Sequence, residues 1–125
     1  MANSFLRSPH AQCEVLKFTA AGALVPGAFL KKNDCVGIVA AYMPNGAIAS
    51  GDEVGLYIAA PRIVVPKTQP EVIETGKKLY YNNSTGKVTG VAGSGLYLIG
   101  VSTLPGASAD TTIEMSLNGK AVTAI

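Results

Sequence analysis

The sequence predicts an all-β fold: a compact β-barrel or β-sandwich of roughly eight to ten short, mainly antiparallel strands. The first observation behind this prediction lies in the second half of the chain, where runs of aromatic and β-branched residues alternate with turns built on Asn and Gly. The second is the near absence of a helical period among the apolar residues. Runs of this composition between such turns are typical of antiparallel hairpins.

The chain begins with a segment that shows no hydrophobic period. Residues 1–12 include Pro9 and are predicted to form an extended N-terminal arm. Residues 13–125 are predicted to form a single β domain, because a chain of 125 residues is long enough to bury one core without a metal or a disulfide.

The strands of the first half follow from alternation and from turn residues. The run that starts at Cys13 alternates apolar and polar side chains, as in a strand with one solvated face. Residues 35–42 are almost continuously apolar, which predicts a buried strand. Residues 53–59 alternate again, and the run at 62–65, after Pro61, predicts a further strand.

The second half contains one predicted helix, followed by hairpins. A short helix is predicted near residues 69–75, because Pro70 and the acidic residues suit a first turn and Gly76 suits a stop. The helix is expected to cover one end of the barrel or sandwich. Strands follow in the segments 76–81, 87–89, 95–101 and 111–117.

Composition indicates a subunit that covers part of its surface with partners. Charged residues make up 14% of the chain, against about 25% in an average domain, while hydrophobic residues reach 48%. Alternatively, Ala and Gly raise the mean hydropathy without forming an exposed patch. The net charge is +2, and the adjacent lysines at 31–32 and 77–78 are isolated pairs. No nucleic-acid partner is predicted, since phosphate binding needs a clustered basic stripe.

The cysteines and the amino terminus indicate synthesis in a cytoplasm. Residues 1–10 have no basic region followed by an apolar stretch, so no signal peptide is expected. No apolar run is long enough to span a bilayer, so no membrane partner is expected. Cys13 and Cys35 are then expected to be reduced, buried residues at the starts of two strands, with a bridge between them as the alternative.

No catalytic, cofactor or metal site is predicted. His10 lies in the arm, away from any nucleophile on the domain, so no Ser-His-Asp or Cys-His arrangement is expected. Two cysteines and one distant histidine lack the ligand spacing of a zinc site. Glu71 and Glu74 are expected to be solvated residues of a helix start and not an acid and a base. The sequence therefore predicts neither an enzyme nor a small-molecule substrate.

The order of several short motifs resembles that of a known family. These motifs are VGIV at 36–39, SGDEV at 50–54, VPK at 65–67, IETG at 73–76, LYY at 79–81, GKVT at 86–89, LIGV at 98–101, TTI at 111–113 and LNG at 117–119. Over about residues 13–120 the chain resembles the capsid cement, or decoration, proteins of tailed phages. Members of this family are often labelled RecA/RadA-family phage recombinases.

The recombinase label does not fit the residues. ATP-driven strand exchange needs a phosphate-binding loop, GxxxxGK followed by Ser or Thr. The GxxxxG of this chain, from Gly22 to Gly27, continues with Ala28 and Phe29. The βαβ alternation of an ATPase core is missing as well. A DNA-binding or recombination accessory protein therefore stays only as a less favoured alternative.

The resemblance implies a structural virion protein made in the cytoplasm of a bacterial host. Such a protein would bind the outer surface of the assembled head and stabilise it by bridging major capsid subunits. It also implies a homotrimer. The alternative function from another class is a carbohydrate-binding β-sandwich for host attachment, which the lack of Trp and an aromatic content of 6% disfavour.

The predicted partner contacts lie in the N-terminal arm. Phe5 and Leu6 are expected to act as apolar anchors, and Arg7 is expected to pair with a carboxylate of a neighbouring subunit. Strand addition to an exposed sheet edge is the expected mode of contact. The alternative is that the arm is a disordered tail.

Overall fold

Every regular secondary-structure element in the described part of the chain is a β-strand. A computed structural model of the protein describes residues 13–40 and 48–125, together with the backbone of residues 5–6. Nine strands lie in these residues, within the predicted range: β1 (Phe5–Leu6), β2 (Glu14–Thr19), β3 (Phe29–Lys32), β4 (Cys35–Val39), β5 (Glu53–Pro66), β6 (Lys78–Asn82), β7 (Lys87–Thr89), β8 (Tyr97–Ser102) and β9 (Thr112–Asn118). All their pairings are antiparallel, which confirms the predicted all-β class.

The 14-residue strand β5 carries the sheet. Along one edge it pairs with β2 and then with β1. Along the other edge it pairs with β4 and then with β9. Tyr57 lies between β2 and β4, and Ala59 lies between β2 and β9. The first half of β5 is thus flanked by the strands from the start of the chain.

A bulge lets β5 run through a proline. The register of β5 on β9 shifts between Ala60 and Ile63, so Pro61 and Arg62 form the irregular step. Core residues of β5 are even-numbered up to Ala60 and odd-numbered from Ile63 on. The extra residue therefore keeps both halves of the strand facing the interior. The two strands predicted on either side of Pro61 are one strand in the structure.

The remaining strands bring the sheet back to β5. Their order from β5 is β9, β8, β6 and β7. Just beyond the end of β5, the Thr68 N–H donates to the Val88 carbonyl of β7 at 2.9 Å, and Lys67 forms a parallel bridge with Val88. The sheet is thereby nearly closed into a barrel.

The interior divides into two clusters of buried side chains. The large core cluster contains Val36, Ile38, Ala60, Ile63, Val65, Ile73, Leu79, Tyr81, Val88, Ile99, Ile113, Met115 and Leu117. The small core cluster contains Ala20, Val39, Ile48, Val54, Leu56 and Ile58. It is bordered by the partly buried hydrophobics Leu16, Phe18, Leu24, Leu30 and Cys35.

Backbone hydrogen bonds of Gly119 connect Ile58 of the small cluster with Val36 of the large cluster, where β9, β5 and β4 come close together. The Gly119 N–H donates to the Ile58 carbonyl of β5 at 2.7 Å, and its carbonyl accepts from the Val36 N–H of β4 at 2.8 Å. A Cβ at this position would lie 1.7 Å from the Val36 carbonyl oxygen. Only glycine lets the end of β9 meet the start of β4 in this way.

The predicted helix near residues 69–75 is wrong. Residues 69–70 and 75–76 form turns, and Ile73 lies between them as an isolated bridge. Ile73 donates to and accepts from Gly106, at 2.9 and 2.8 Å, and its side chain is part of the large core cluster. Because both backbone polar groups of Ile73 are used by a neighbouring loop, the segment has no i to i−4 ladder of a helix.

The two cysteines lie where predicted but are half-buried. Cys13 directly precedes β2 and Cys35 begins β4, and no disulfide joins them. Partial burial raises the pKa of the Cys13 thiol. None of the described elements is a helix of the length and hydropathy needed to cross a membrane.

Candidate functional site: two exposed apolar surfaces

Of the predicted partner contacts, two lie on the edge of the sheet of their own chain. The backbone of Phe5 pairs with Val64 and that of Leu6 pairs with Ile63. Arg7 lies outside the described residues, as do most of the predicted arm and His10. Contact between these residues and a neighbouring subunit stays a prediction.

A first exposed surface is formed where several strands end together. β5, β7 and β8 end here, and β6 and β9 begin here, as the pairings of these strands show. The segments that meet at this end are residues 67–77, 90–91 and 103–111, which we call the loop end. The loop end therefore brings together stretches that are far apart in sequence.

Hydrogen bonds tie the segments of the loop end together. The Glu71 carboxylate accepts from the Thr89 hydroxyl at 2.6 Å and from the Gly90 N–H. The Ser102 hydroxyl, itself buried, donates to the Glu74 carbonyl at 2.6 Å. Charge-assisted bonds of the kind that Glu71 makes are stronger than neutral ones. The segments are fixed relative to one another and present a defined shape.

The loop end exposes aliphatic side chains among acidic ones. Val72 is 69% exposed and Val91 is 65% exposed, the highest values among the large hydrophobic residues described. Both line a shallow depression with Glu71, Glu74 and Lys77. The segment bridged to Ile73 through Gly106 also carries an exposed leucine at position 104. Val72 and Val91, exposed side by side on fixed loops, make the loop end a candidate contact surface.

A second exposed surface runs across β8 and the residues that follow β9. It is a shallow depression, which we call the lysine groove, lined by Lys78, Leu98, Gly100, Val101, Asn118, Lys120, Ala121, Val122 and Thr123. The pairing of β8 with β6 contains a one-residue register shift, so Leu98 lies opposite Tyr80 and Gly100 lies opposite Leu79. Because of the extra residue between Leu98 and Gly100, the side chains of Leu98 and Val101 both point outward.

The charged side chains that line the lysine groove are both lysines. Lys120 Nζ lies 2.6 Å from the Glu14 carboxylate, and both side chains are about half exposed, so the pair contributes little stability. Lys78 stands opposite Val101 across the sheet, and no described carboxylate lies within ion-pair distance of its ammonium. The groove thus combines aliphatic side chains with two cations.

Three other charged residues are structural. Arg62 donates to the buried Glu114 carboxylate at 2.9 Å, and Thr103 donates to it at 2.8 Å. The hydrogen bond to Glu114 raises the pKa of Arg62. Lys67 is fully buried and donates to the Thr68 carbonyl at 3.0 Å.

Among residues 13–40 and 48–125, no three His, Cys, Asp or Glu side chains lie together in a way that could hold a metal ion.

Sequence reasoning missed both exposed surfaces. Val72 lies in the segment of the predicted helix, where an apolar residue between acids fits a buried face. Tyr57 and Tyr97 are partly buried against the large core cluster. The sequence feature that could have indicated these surfaces is a lone aliphatic residue inside a loop, as at Val91.

Comparison with known proteins gives one match. Residues 10–117 match the sequence model of a family described as phage cement protein. No curated protein and no solved structure matches the chain. The match spans nearly all of the β domain, including the loop end and the part of the lysine groove that lies on β6 and β8. The protein therefore belongs to the phage cement protein family.

Proposed function

We propose that this protein binds the outer surface of an assembled phage head as a homotrimer and stabilises the head by bridging neighbouring major capsid subunits. The observation that carries the proposal is the family match over residues 10–117. The exposed valines of the loop end and the aliphatic side chains of the lysine groove support it, since a bridging subunit needs more than one contact surface.

The mechanism is linkage and needs no chemistry. A ligand that binds only the assembled shell stabilises that shell by mass action. Three subunits in one trimer place three equivalent contacts on the head, so weak individual contacts combine through a high effective concentration. The protein acts as a structural component and not as an enzyme.

The N-terminal segment is the proposed capsid contact. Phe5 and Leu6 act as apolar anchors and Arg7 pairs with a carboxylate of a neighbouring capsid subunit. What supports this is the position of β1, a two-residue strand at the edge of β5 with no described strand beyond it. The outer edge of such a strand presents backbone N–H and C=O groups that can pair with another chain.

Addition of the purified protein to heads that lack it tests the proposal. We expect it to sediment with assembled heads, to saturate at a fixed ratio, and to raise the temperature at which the heads release their DNA. Unassembled capsid subunits serve as the control and should not retain it. Failure to bind heads overturns the proposal, and a hit on a glycan array or retention on DNA at physiological salt would point to the two alternatives instead.

A further inference from the structure

The two exposed surfaces of the chain are complementary in charge. The depression of the loop end has two acidic side chains, Glu71 and Glu74, and one basic side chain, Lys77. The lysine groove has two basic side chains and no acidic one among its lining residues. Lys120 is paired with Glu14 outside the groove, so the positive charge available there is that of Lys78. Opposite charges on two surfaces of one chain favour contact between copies of that chain.

The two surfaces also match in their apolar parts. The loop end exposes Val72 and Val91 on segments that hydrogen bonds hold in place. The groove exposes Leu98 and Val101, which are 45% and 39% exposed. Each surface thus has an aliphatic pair beside charged side chains, as in an interface with an apolar centre and a charged rim.

We infer that the loop end of one copy docks into the lysine groove of the next copy. Because the two surfaces are different, the contact is heterologous, and repetition of it around an axis closes a ring. The inference rests on the proposed function, because it names the contact that joins the subunits of the proposed trimer.

The charges available for this contact can be separated from those that hold the fold. Glu71 is bound to Thr89 and Gly90 and is needed to shape the loop end. The Glu74 side chain is exposed and makes no described hydrogen bond or ion pair. Lys78 is exposed and likewise has no described carboxylate partner. Glu74 and Lys78 are therefore the positions at which charge reversal changes the contact and leaves the domain intact.

Charge reversal at the two positions, singly and combined in one chain, tests the inference. Glu74→Lys makes both surfaces basic, and Lys78→Glu makes the groove lose its excess of positive charge. Each variant alone should associate about tenfold or more weakly than the unmodified protein in sedimentation velocity across a dilution series. Combining both reversals in one chain should restore association, because the introduced lysine of each copy then faces the introduced glutamate of the next copy at all three contacts of the ring.

Matched controls change the same charges elsewhere. Lys87→Glu alters an exposed lysine of β7 and Glu53→Lys alters an exposed glutamate at the start of β5, and neither lines either surface. Both controls should sediment as the unmodified protein does. Circular dichroism of all variants shows whether each domain is folded.

The outcomes separate this inference from the proposed function. A monomeric or dimeric unmodified protein, single reversals without effect, or a double variant that stays dissociated overturns the head-to-tail contact, whether or not the protein binds heads. A trimer that follows the charge pattern but ignores heads supports the contact and overturns the cement function.

Discussion

The large and the small core cluster differ in how completely the surrounding strands enclose their side chains. Among residues 13–40 and 48–125, thirteen buried residues of the large cluster are bordered by five partly buried hydrophobics, whereas six buried residues of the small cluster are bordered by the same number. The strands around the large cluster return to β5, while β2 and β3 are edge strands in the described part of the sheet. The carboxy-terminal strands therefore enclose the large cluster together with β4 and β5 and carry the exposed surfaces, and β2 is attached to them through β5.

Substitution at the joint between the clusters should have the largest effect. Gly119→Ala places a Cβ against the Val36 carbonyl, where the geometry leaves 1.7 Å. We expect a loss of about 4 kcal/mol or more in the free energy of unfolding, or failure to fold, measured by urea denaturation. Gly22→Ala is the matched control, because a Cβ there meets nothing within 4 Å, and it should change stability by less than about 0.5 kcal/mol. A small effect of Gly119→Ala would show that the two clusters are not joined there.

The same truncation in the two clusters should give different costs. Leu79 is fully buried in the large cluster, and Leu79→Ala should lower the free energy of unfolding by about 2–5 kcal/mol. Leu16 is only partly buried at the border of the small cluster, and Leu16→Ala should cost about 1–2 kcal/mol. Urea unfolding of both variants measures the difference. Equal costs would contradict the view that the small cluster is less closed.

Removal of one charge should loosen the loop end without unfolding the domain. Glu71→Gln weakens the bonds from Thr89 and Gly90 and should cost about 1–2 kcal/mol. Amide hydrogen exchange should rise at Gly90 and Val91, and remain unchanged in β9. Glu74→Gln, whose side chain makes no described bond, is the control. Slow exchange at Gly90 in the Glu71 variant would mean that Glu71 does not fix the loop end.

The smallest effect is expected for the ion pair between β2 and the end of the chain. Lys120 and Glu14 are both exposed, so a double-mutant cycle with alanine should give a coupling of about 0–1 kcal/mol that falls with added salt. A coupling well above this range would mean that β2 is attached to the carboxy-terminal strands more firmly than its burial indicates.

The strands could be predicted from the sequence because their signal is local. The hairpin of β6 and β7 follows from aromatic and β-branched runs around Asn82 to Gly86, and Asn82 accepts the backbone N–H groups of Ser84 and Thr85 in the turn. All-β class and strand number follow from such turns. Pairing partners do not, since β5 pairs with four strands from distant parts of the chain.

The errors have a common physical cause in tertiary contacts. The segment around Ile73 has the residues of a short helix, but its backbone bonds to Gly106, which is 33 residues away in sequence. Pro61 predicts a strand end, but a bulge accommodates it within β5. The exposed surfaces were missed for the same reason, because Val72 and Val91 become neighbours only through the bonds of Glu71 to β7 and the loop after it.

Cryo-electron microscopy of heads before and after addition of this protein is the decisive test of the cement function. We expect added density on the outer surface of the head, in trimers that each contact at least two major capsid subunits. Heads that show no added density, or density confined to their interior or to the tail, would refute the proposed role.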